Sequence, residues 1–321
     1  MDMRTRWLPP IRDGLNATRI ILPPIEPNAS GAGLKSGLTV ANYLRTRFPD
    51  DISGVERKLL AGDIYNGAGQ PITENTAYQA GDWIFLYRDP PTDEPEVPGL
   101  KDIEILYRDS HLLVIDKPHQ VSVIPRGRWV TQTALVHLRR TLNLPDLSPL
   151  HRLDRPTAGG LVFSLNPSER GRYQTLFQNR MVTKEYLAVA NCPTRRSQFP
   201  LQVKSHIVKR RGEAQAVEIP GEPNAVTNIE LLDTNGEAAL YRLKPLTGKT
   251  HQLRLHMNSL GLPIKADPYW PVMRPDLLAD QCPELPLQLL AQRLEFTDPL
   301  TTERRVFTSR RRLAAWSGPN E

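Results

Sequence analysis

The chain has 321 residues, more than a single hydrophobic core of roughly 250–300 residues usually holds, so two domains are expected. Its 39% hydrophobic and 24% charged residues exclude wholesale disorder. No run approaches the ~20 apolar residues of a membrane helix, and residues 1–20 lack the apolar stretch of a secretory signal, so a cytoplasmic protein is expected. Lys and Arg outnumber Asp and Glu by 41 to 35, a net charge of +6, which suits a polyanionic partner.

Residues 1–36, with Pro23, Pro24, Pro27 and Gly31-Ala32-Gly33, read as an irregular N-terminal arm. A small α/β domain over 37–88 follows. Leu38, Ala41, Tyr43, Leu44 and Phe48 suit a helix ended by Pro49, and Val55, Leu59 and Leu60 suit a second. The strand Trp83–Tyr87 alternates Trp83, Phe85 and Tyr87 on one side. Residues 89–100 hold four prolines and four acids and read as a stiff linker. Beyond it, 101–321 is one large domain. Strands are expected at Ile103–Tyr107, His111–Ile115, Leu161–Leu165, Thr183–Ala190, Lys204–Val208, Asn228–Leu232 and Ala238–Leu243. Helices are expected at Thr133–Leu142, from Pro167 to about Arg180, and from the Thr247 segment to Gly261. Hairpin-like strands with few helices predict an α+β fold with a mixed, largely antiparallel sheet.

The densest polar segment is His151-Arg152-Leu153-Asp154-Arg155-Pro156-Thr157-Ala158-Gly159-Gly160. An acid between two arginines would be an anion, available as nucleophile or base, although an ordinary loop ion pair gives the same pattern. The glycines suit a close approach of substrate backbone. A second segment, Thr247-Gly248-Lys249-Thr250-His251-Gln252-Leu253-Arg254-Leu255-His256, opens a helix. Leu253, Met257 and Leu260 fall on its apolar side, with His251, Arg254 and Asn258 on another that meets either an anion or solvent. His251 and His256 are five apart, not the four of a helical zinc pair, so no metal is expected. Cys192 and Cys282 lack paired spacing and read as reduced thiols. No phosphate loop or dinucleotide fingerprint occurs, so the chemistry is expected to rest on side chains without a cofactor. Basic groups at Arg195–Arg196, Lys209–Arg211, Arg304–Arg305 and Arg310–Arg312 support a nucleic-acid partner only alongside such chemistry.

Taken in order, these segments resemble the RluA-type pseudouridine synthases. Ile115-Asp116-Lys117-Pro118 is similar to that family's Lys-Pro strand end, and His151–Gly159 to its active-site loop. Lys184-Glu185-Tyr186-Leu187-Ala188-Val189 is similar to its Lys-x-Tyr-x-Ala segment, and Thr247–His256 to its Thr-Gly-Arg-x-His-Gln-x-Arg-x-His motif. Gly261–Ile264 with Asp267 and Tyr269, and Leu290–Phe296, complete the series. Residues 38–88 resemble, more weakly, the αL RNA-binding domain.

The resemblance implies an enzyme that isomerises uridine in structured RNA, rRNA or tRNA. It implies Asp154 as the essential carboxylate, Tyr186 stacked on the uracil, Arg254 pairing with Asp154, and Arg152 filling the gap left by the extruded base. His151, Arg155, Thr157, Lys249, His251, Gln252 and His256 are expected to bind substrate. Three routes are open to Asp154: attack on the sugar, attack on the base, or removal of a ribose proton. A non-catalytic RNA-binding protein and a nucleoside hydrolase are the rival readings, the latter normally wanting paired carboxylates or a metal. Four positions depart from the family pattern: Ala158 for Ser, Gly160 for a bulkier apolar residue, Lys249 for Arg and Asp298 for His. They are expected beside the pocket. Oligomeric state leaves no trace in the sequence; a monomer is the working expectation.

Overall fold

The computed structural model describes residues 7–24, 38–87, 89–195, 198–210, 212–279 and 283–316. Arg196, Arg211, Cys282 and much of the expected arm lie outside them. The chain divides into two compact units, Met1–Glu94 and Pro95–Glu321, and the break falls in the Pro- and acid-rich stretch.

In the first unit the strand β1 (Thr18–Ile21) precedes helices α1 (Val40–Arg47) and α2 (Ile52–Leu60) and strands β2 (Ile64–Asn66) and β3 (Trp83–Leu86). Thr39 caps α1, its hydroxyl accepting the Asn42 N–H at 3.2 Å, and Pro49 opens the 3-10 turn that ends it. The sheet runs β1-β3-β2, all antiparallel. Val40, Ala41, Leu44, Val55 and Leu59 of the helices pack on Ile64, Ile84 and Leu86.

Thr18–Ile21 is not irregular: it pairs along the whole of β3, because that strand would otherwise be an open edge with unsatisfied backbone groups. Nor does β3 have one apolar side. Ile84 and Leu86 join the helical core, while Trp7 covers Phe85 from the other face at 6.1 Å between ring centroids.

The second unit is built on one long sheet. Its strands are β4 (Glu104–Arg108), β5 (Leu112–Lys117), β6 (Ser148–Pro149), β7 (Ala158–Ser164), β8 (Thr183–Asn191), β9 (Leu201–Val208), β10 (Val217–Ile219), β11 (Ala225–Asn235), β12 (Ala238–Pro245), β13 (Leu289–Thr297) and β14 (Arg304–Thr308). Among the described residues the order is β10-β9-β11-β12-β8-β13-β7-β5-β4, with β14 beside β13 and β6 beside β7. Every pairing is antiparallel except β13 with β7, matching the expected mixed sheet. Helix α3 (Ala134–Thr141), capped by Thr133, packs Leu135 and Leu138 on Leu113, Ile115, Leu161 and Phe163. Helix α4 (Arg170–Gln178) buries Tyr173 and Leu176. Helix α5 (Gln252–Ser259) sets Leu253 and Met257 against Ala188, Ile229, Tyr241 and Leu243. Two apolar clusters therefore meet along the middle of the sheet, and Tyr186 of β8 packs against both.

The parallel contact explains the glycines after the Asp154 loop. Gly159 has φ +114, and a Cβ there would lie 2.3 Å from the Ala291 carbonyl oxygen. The close approach is thus made by the protein's own strand β13, not by substrate backbone. Gly159→Ala is expected to cost about 2 kcal/mol or more, since it adds left-side backbone strain to a backbone clash. A thermal melt within a degree of wild type would contradict this.

Candidate active site

The Asp154 loop joins β6 to β7 and is fastened at several points. Leu153 sinks into the α3 core. The Thr157 N–H closes a turn onto the Asp154 carbonyl at 3.0 Å. Lys117, at the end of β5 and fully buried, donates from Nζ to the carbonyls of Pro118 and Val121, each at 2.9 Å, and of Arg155 at 3.2 Å. Burial holds this ammonium well below its ordinary pKa, with the charge of Asp154 pulling the other way. His119 donates from Nδ1 to the Pro156 carbonyl at 2.7 Å. Two cation-capable side chains thus hold backbone oxygens on either side of the loop's exit, and Asp154 is left with its side chain 31% exposed.

Opposite it stands Arg254, on the first turn of α5 and 1% exposed. Its Nε and Nη2 donate to Asp267 at 2.8 and 2.6 Å, and its Nη1 reaches Asp154 at 3.3 Å. The guanidinium also lies against Tyr269 and Trp270, at 4.8 and 5.2 Å from the ring centroids. Burial opposes this cation, but Asp267 and Asp154 more than compensate and raise its pKa. The expected pairing of Arg254 with Asp154 is present, yet the main partner is Asp267. Because the bidentate bond goes to the buried acid, Asp154 receives the third and longest of the contacts from this guanidinium. The polar side of α5 is therefore buried rather than solvated.

Tyr186 faces this centre from β8, opposite Leu243 of β12 and Ala291 of β13. The β8–β13 register slips between Ala291 and Arg293, a bulge of the kind that re-aims side chains beside functional sites. Burial first, and the Asp154 charge second, push the phenol above its ordinary range. It stays protonated at neutral pH, which fits a stacking ring better than a base.

A cavity of about 1020 Å³ opens over these groups, above the roughly 300–1,000 Å³ of small-molecule pockets. Asp154, Tyr186, Arg254, His151, Arg152, Arg155, Thr157, Lys249, His251 and Gln252 all line it. His256 does not: it is fully buried, hydrogen-bonded to Thr227 at 2.9 Å and Ser205 at 3.0 Å, and ties α5 to β11 and β9.

Several lining residues have their polar atoms committed to the protein. His151 accepts the Val162 N–H at Nε2, 3.2 Å away, and stacks on Phe177. Gln252 accepts from Thr247 and the Lys249 N–H and donates to Val226 and Thr227. His251 sits at φ +58 before α5, with its ring against Tyr269 and Trp270. Arg152 is exposed, and Arg155 lies over Trp129. Of the departures from the family pattern, only Lys249 lines the cavity. Ala158 and Asp298 are buried in the core, and Gly160 backs onto β13, so these three lie outside the cavity lining rather than along it.

Sequence reasoning missed Lys117, Asp267 and Lys184 as parts of the site. Lys184 lines the cavity two residues before Tyr186, its pKa lowered by burial. The Lys-Pro and Lys-x-Tyr segments and the Asp267 motif carried the only signal for them.

Burial also sets the acid limit of this unit. His119, His251 and His256 are each pushed down to about 4, and His151 to about 3, from 6.5, burial being the largest cause. The unfolded chain then binds protons that the folded one refuses, so stability is complete above about pH 7 and falls as pH drops through 6.5 toward 4. Each imidazole contributes about 1.4 kcal/mol per pH unit. The unfolding midpoint should fall steeply over that range; a flat profile would contradict the buried neutral rings.

Among the described residues no group of three or more His, Cys, Asp or Glu side chains is placed to hold a metal, and no helix is long and apolar enough to cross a membrane.

Residues 111–259 match the model of the RNA pseudouridylate synthase family. An uncharacterized RNA pseudouridine synthase of Haemophilus influenzae is 34% identical over 52% of this chain and 72% of its own length. Ribosomal large subunit pseudouridine synthase C of Rickettsia typhi is 29% identical over 70% of this chain and 79% of its own. Among solved structures, human RNA pseudouridylate synthase domain containing 1 is similar with a TM-score of 0.52 and 25% identity, over 67% of this chain and 86% of that one. For several other curated relatives the chain spans only 32% to 47% of their length. The match covers the loop that carries Asp154, the strand that carries Tyr186 and the helix that carries Arg254, and with the shared fold it establishes that this chain belongs to the RluA-type RNA pseudouridine synthase family.

Proposed function

We propose that this protein isomerises uridine to pseudouridine in structured RNA, ribosomal or transfer, with Asp154 as the catalytic carboxylate and no cofactor. The observation that carries the reading is the Asp154–Arg254–Asp267 chain: a part-exposed carboxylate on a fastened loop, oriented by a buried guanidinium that is itself held by a second, fully buried acid.

The reaction needs this arrangement. The uracil must leave its ribose as an anion, turn, and bond through C5 before losing the C5 proton. Attack on the sugar, addition to the base and removal of a ribose proton all require a charged carboxylate in fixed orientation, and a pre-set side chain lowers the barrier because no reorganisation remains to be done. Tyr186 offers a flat, protonated ring for the extruded uracil. Unstacking that base costs on the order of a few kcal/mol, and Arg152, exposed at the cavity rim, supplies a side chain to occupy the space it leaves. Lys184 and Lys249, also at the cavity, attract the phosphates of the target strand. The small N-terminal unit is assigned to RNA binding on its αL resemblance.

Glycoside hydrolysis ordinarily uses two carboxylates flanking the bond. Glu213 is the other acid lining the cavity among the described residues, and it belongs to the β9–β10 connection rather than to the Asp154 centre. Loss of the C5 proton gives a direct assay. Total RNA carrying tritium at uridine C5 should release tritium to water on incubation with the protein, without free uracil. Free uracil in place of tritiated water would make the enzyme a hydrolase, and neither product would leave an RNA-binding protein without turnover.

A further inference from the structure

Beyond the catalytic centre, the connection between β5 and α3 carries a tight turn at the cavity rim. Arg126 and Trp129 exchange backbone hydrogen bonds, Arg126 N–H to the Trp129 carbonyl at 2.8 Å and the reverse at 3.2 Å. Between them Gly127 has φ +58, a left-handed position that glycine takes without strain. Arg126 and Arg128 are exposed, and neither pairs with a carboxylate among the described residues. Two guanidiniums lie near the Trp129 ring, with Cζ of Arg128 at 5.7 Å and Cζ of Arg155 at 4.7 Å from its centroid. Its Nε1–H is buried without an acceptor among the described residues. Arg155 follows Asp154 directly in sequence, and Arg126, Trp129, Arg155 and Asp154 line one cavity.

We propose that this turn is a second RNA contact that holds the nucleotides next to the extruded uridine. A flanking base stacks on the rim made by Trp129 and its two guanidiniums, and Arg126 and Arg128 take the neighbouring phosphates. The inference rests on the RNA reading above and adds to it a site outside the reacting nucleotide. A turn that carries two exposed guanidiniums beside a half-buried aromatic ring has the two parts of a single-strand platform: a π face that accepts any base, and charge that tracks the backbone. Because Arg155 belongs to the catalytic loop, a base seated there is registered against Asp154 by one residue of backbone.

The test uses full-length protein, a fluorescently labelled oligouridine for affinity and C5-tritiated RNA for turnover. Trp129→Ala is expected to weaken oligouridine binding about tenfold or more and to raise by a similar factor the RNA concentration giving half-maximal tritium release. Trp129→Phe, which keeps a stacking face, should recover most of that loss. Since Trp129 also packs against the α3 core, a second variant decides the matter if the first fails to fold. Arg126→Ala combined with Arg128→Ala changes exposed side chains, and should lower the slope of log affinity against log salt by about one to two. Unchanged affinity and salt slope in that double variant, with wild type active, would overturn this inference alone. A wild type that neither binds oligouridine nor releases tritium would overturn the RNA reading and this inference with it.

Discussion

Asp154→Asn is expected to fold and to bind RNA as the wild type does, and to release no tritium above background. The substitution is nearly isosteric, and the side chain is part-exposed and makes one 3.3 Å contact with Arg254. Arg254 keeps its bidentate bond to Asp267, so the buried cation remains neutralised and stability should move by about 1 kcal/mol or less. Turnover has no such reserve. An amide neither attacks carbon nor takes a proton at neutral pH, and Glu213 is the only other acid along the cavity among the described residues. The expected loss is therefore many orders of magnitude, measured as single-turnover tritium release with binding followed in parallel. A residual rate within tenfold of wild type would remove Asp154 from the reacting groups.

Arg254→Ala should behave differently from what the sequence alone suggests. The pairing with Asp154 that the resemblance implies leads to the expectation of a folded protein with activity cut by orders of magnitude, because the carboxylate loses its orienting charge. In the structure Asp267 is 0% exposed and Arg254 is its ion-pair partner. Removing the guanidinium strands a buried carboxylate whose remaining bond is the Tyr269 N–H at 2.8 Å. That defect costs about 3–5 kcal/mol, a large part of a domain's stability. The single variant should thus unfold at much lower urea. Adding Asp267→Asn removes the stranded charge and should restore much of the stability but none of the rate, since Asp154 still lacks its orienting cation. Arg254→Lys should not substitute, because one ammonium cannot bridge two carboxylates with a bidentate fork. A wild-type urea midpoint for Arg254→Ala would refute the buried triad, and activity regained in the double variant would refute the orienting role.

What was legible in the sequence follows from where the information sits. Strands β4, β5 and β8 and helices α3 and α4 show as local apolar patterns, and their bounds differ by only a few residues. Strand β13 does not. Leu289, Leu290 and Ala291 are buried in succession, and the bulge before Arg293 then resets the alternation to Leu294 and Phe296, so no single period describes it. Ala158–Gly160 read as loop because glycine ordinarily breaks strands, whereas Gly159 is required there by the close crossing of β13. Within the site, Asp154, Tyr186 and Arg254 were readable through motif resemblance. Asp267 was noted only as a motif member, since its partnership with Arg254 is a contact between α5 and the segment after it. Lys117 marked a strand end, and its three carbonyl bonds appear only when the loop folds over it. His256 was expected to bind substrate as the last residue of the Thr247–His256 motif. Only the packing of β9 and β11 reveals that it faces away from the cavity.

The central claim, that this chain makes pseudouridine and does so through Asp154, is tested most directly in cells. Pseudouridines are mapped by carbodiimide-induced reverse-transcription stops in total RNA from a strain lacking the gene, complemented by wild type or by Asp154→Asn. The expected result is a site, in ribosomal or transfer RNA, that disappears on deletion and returns with wild type alone. A site restored equally by Asp154→Asn would contradict the catalytic assignment, and a map that does not change at any position on deletion would turn the reading toward RNA binding without turnover.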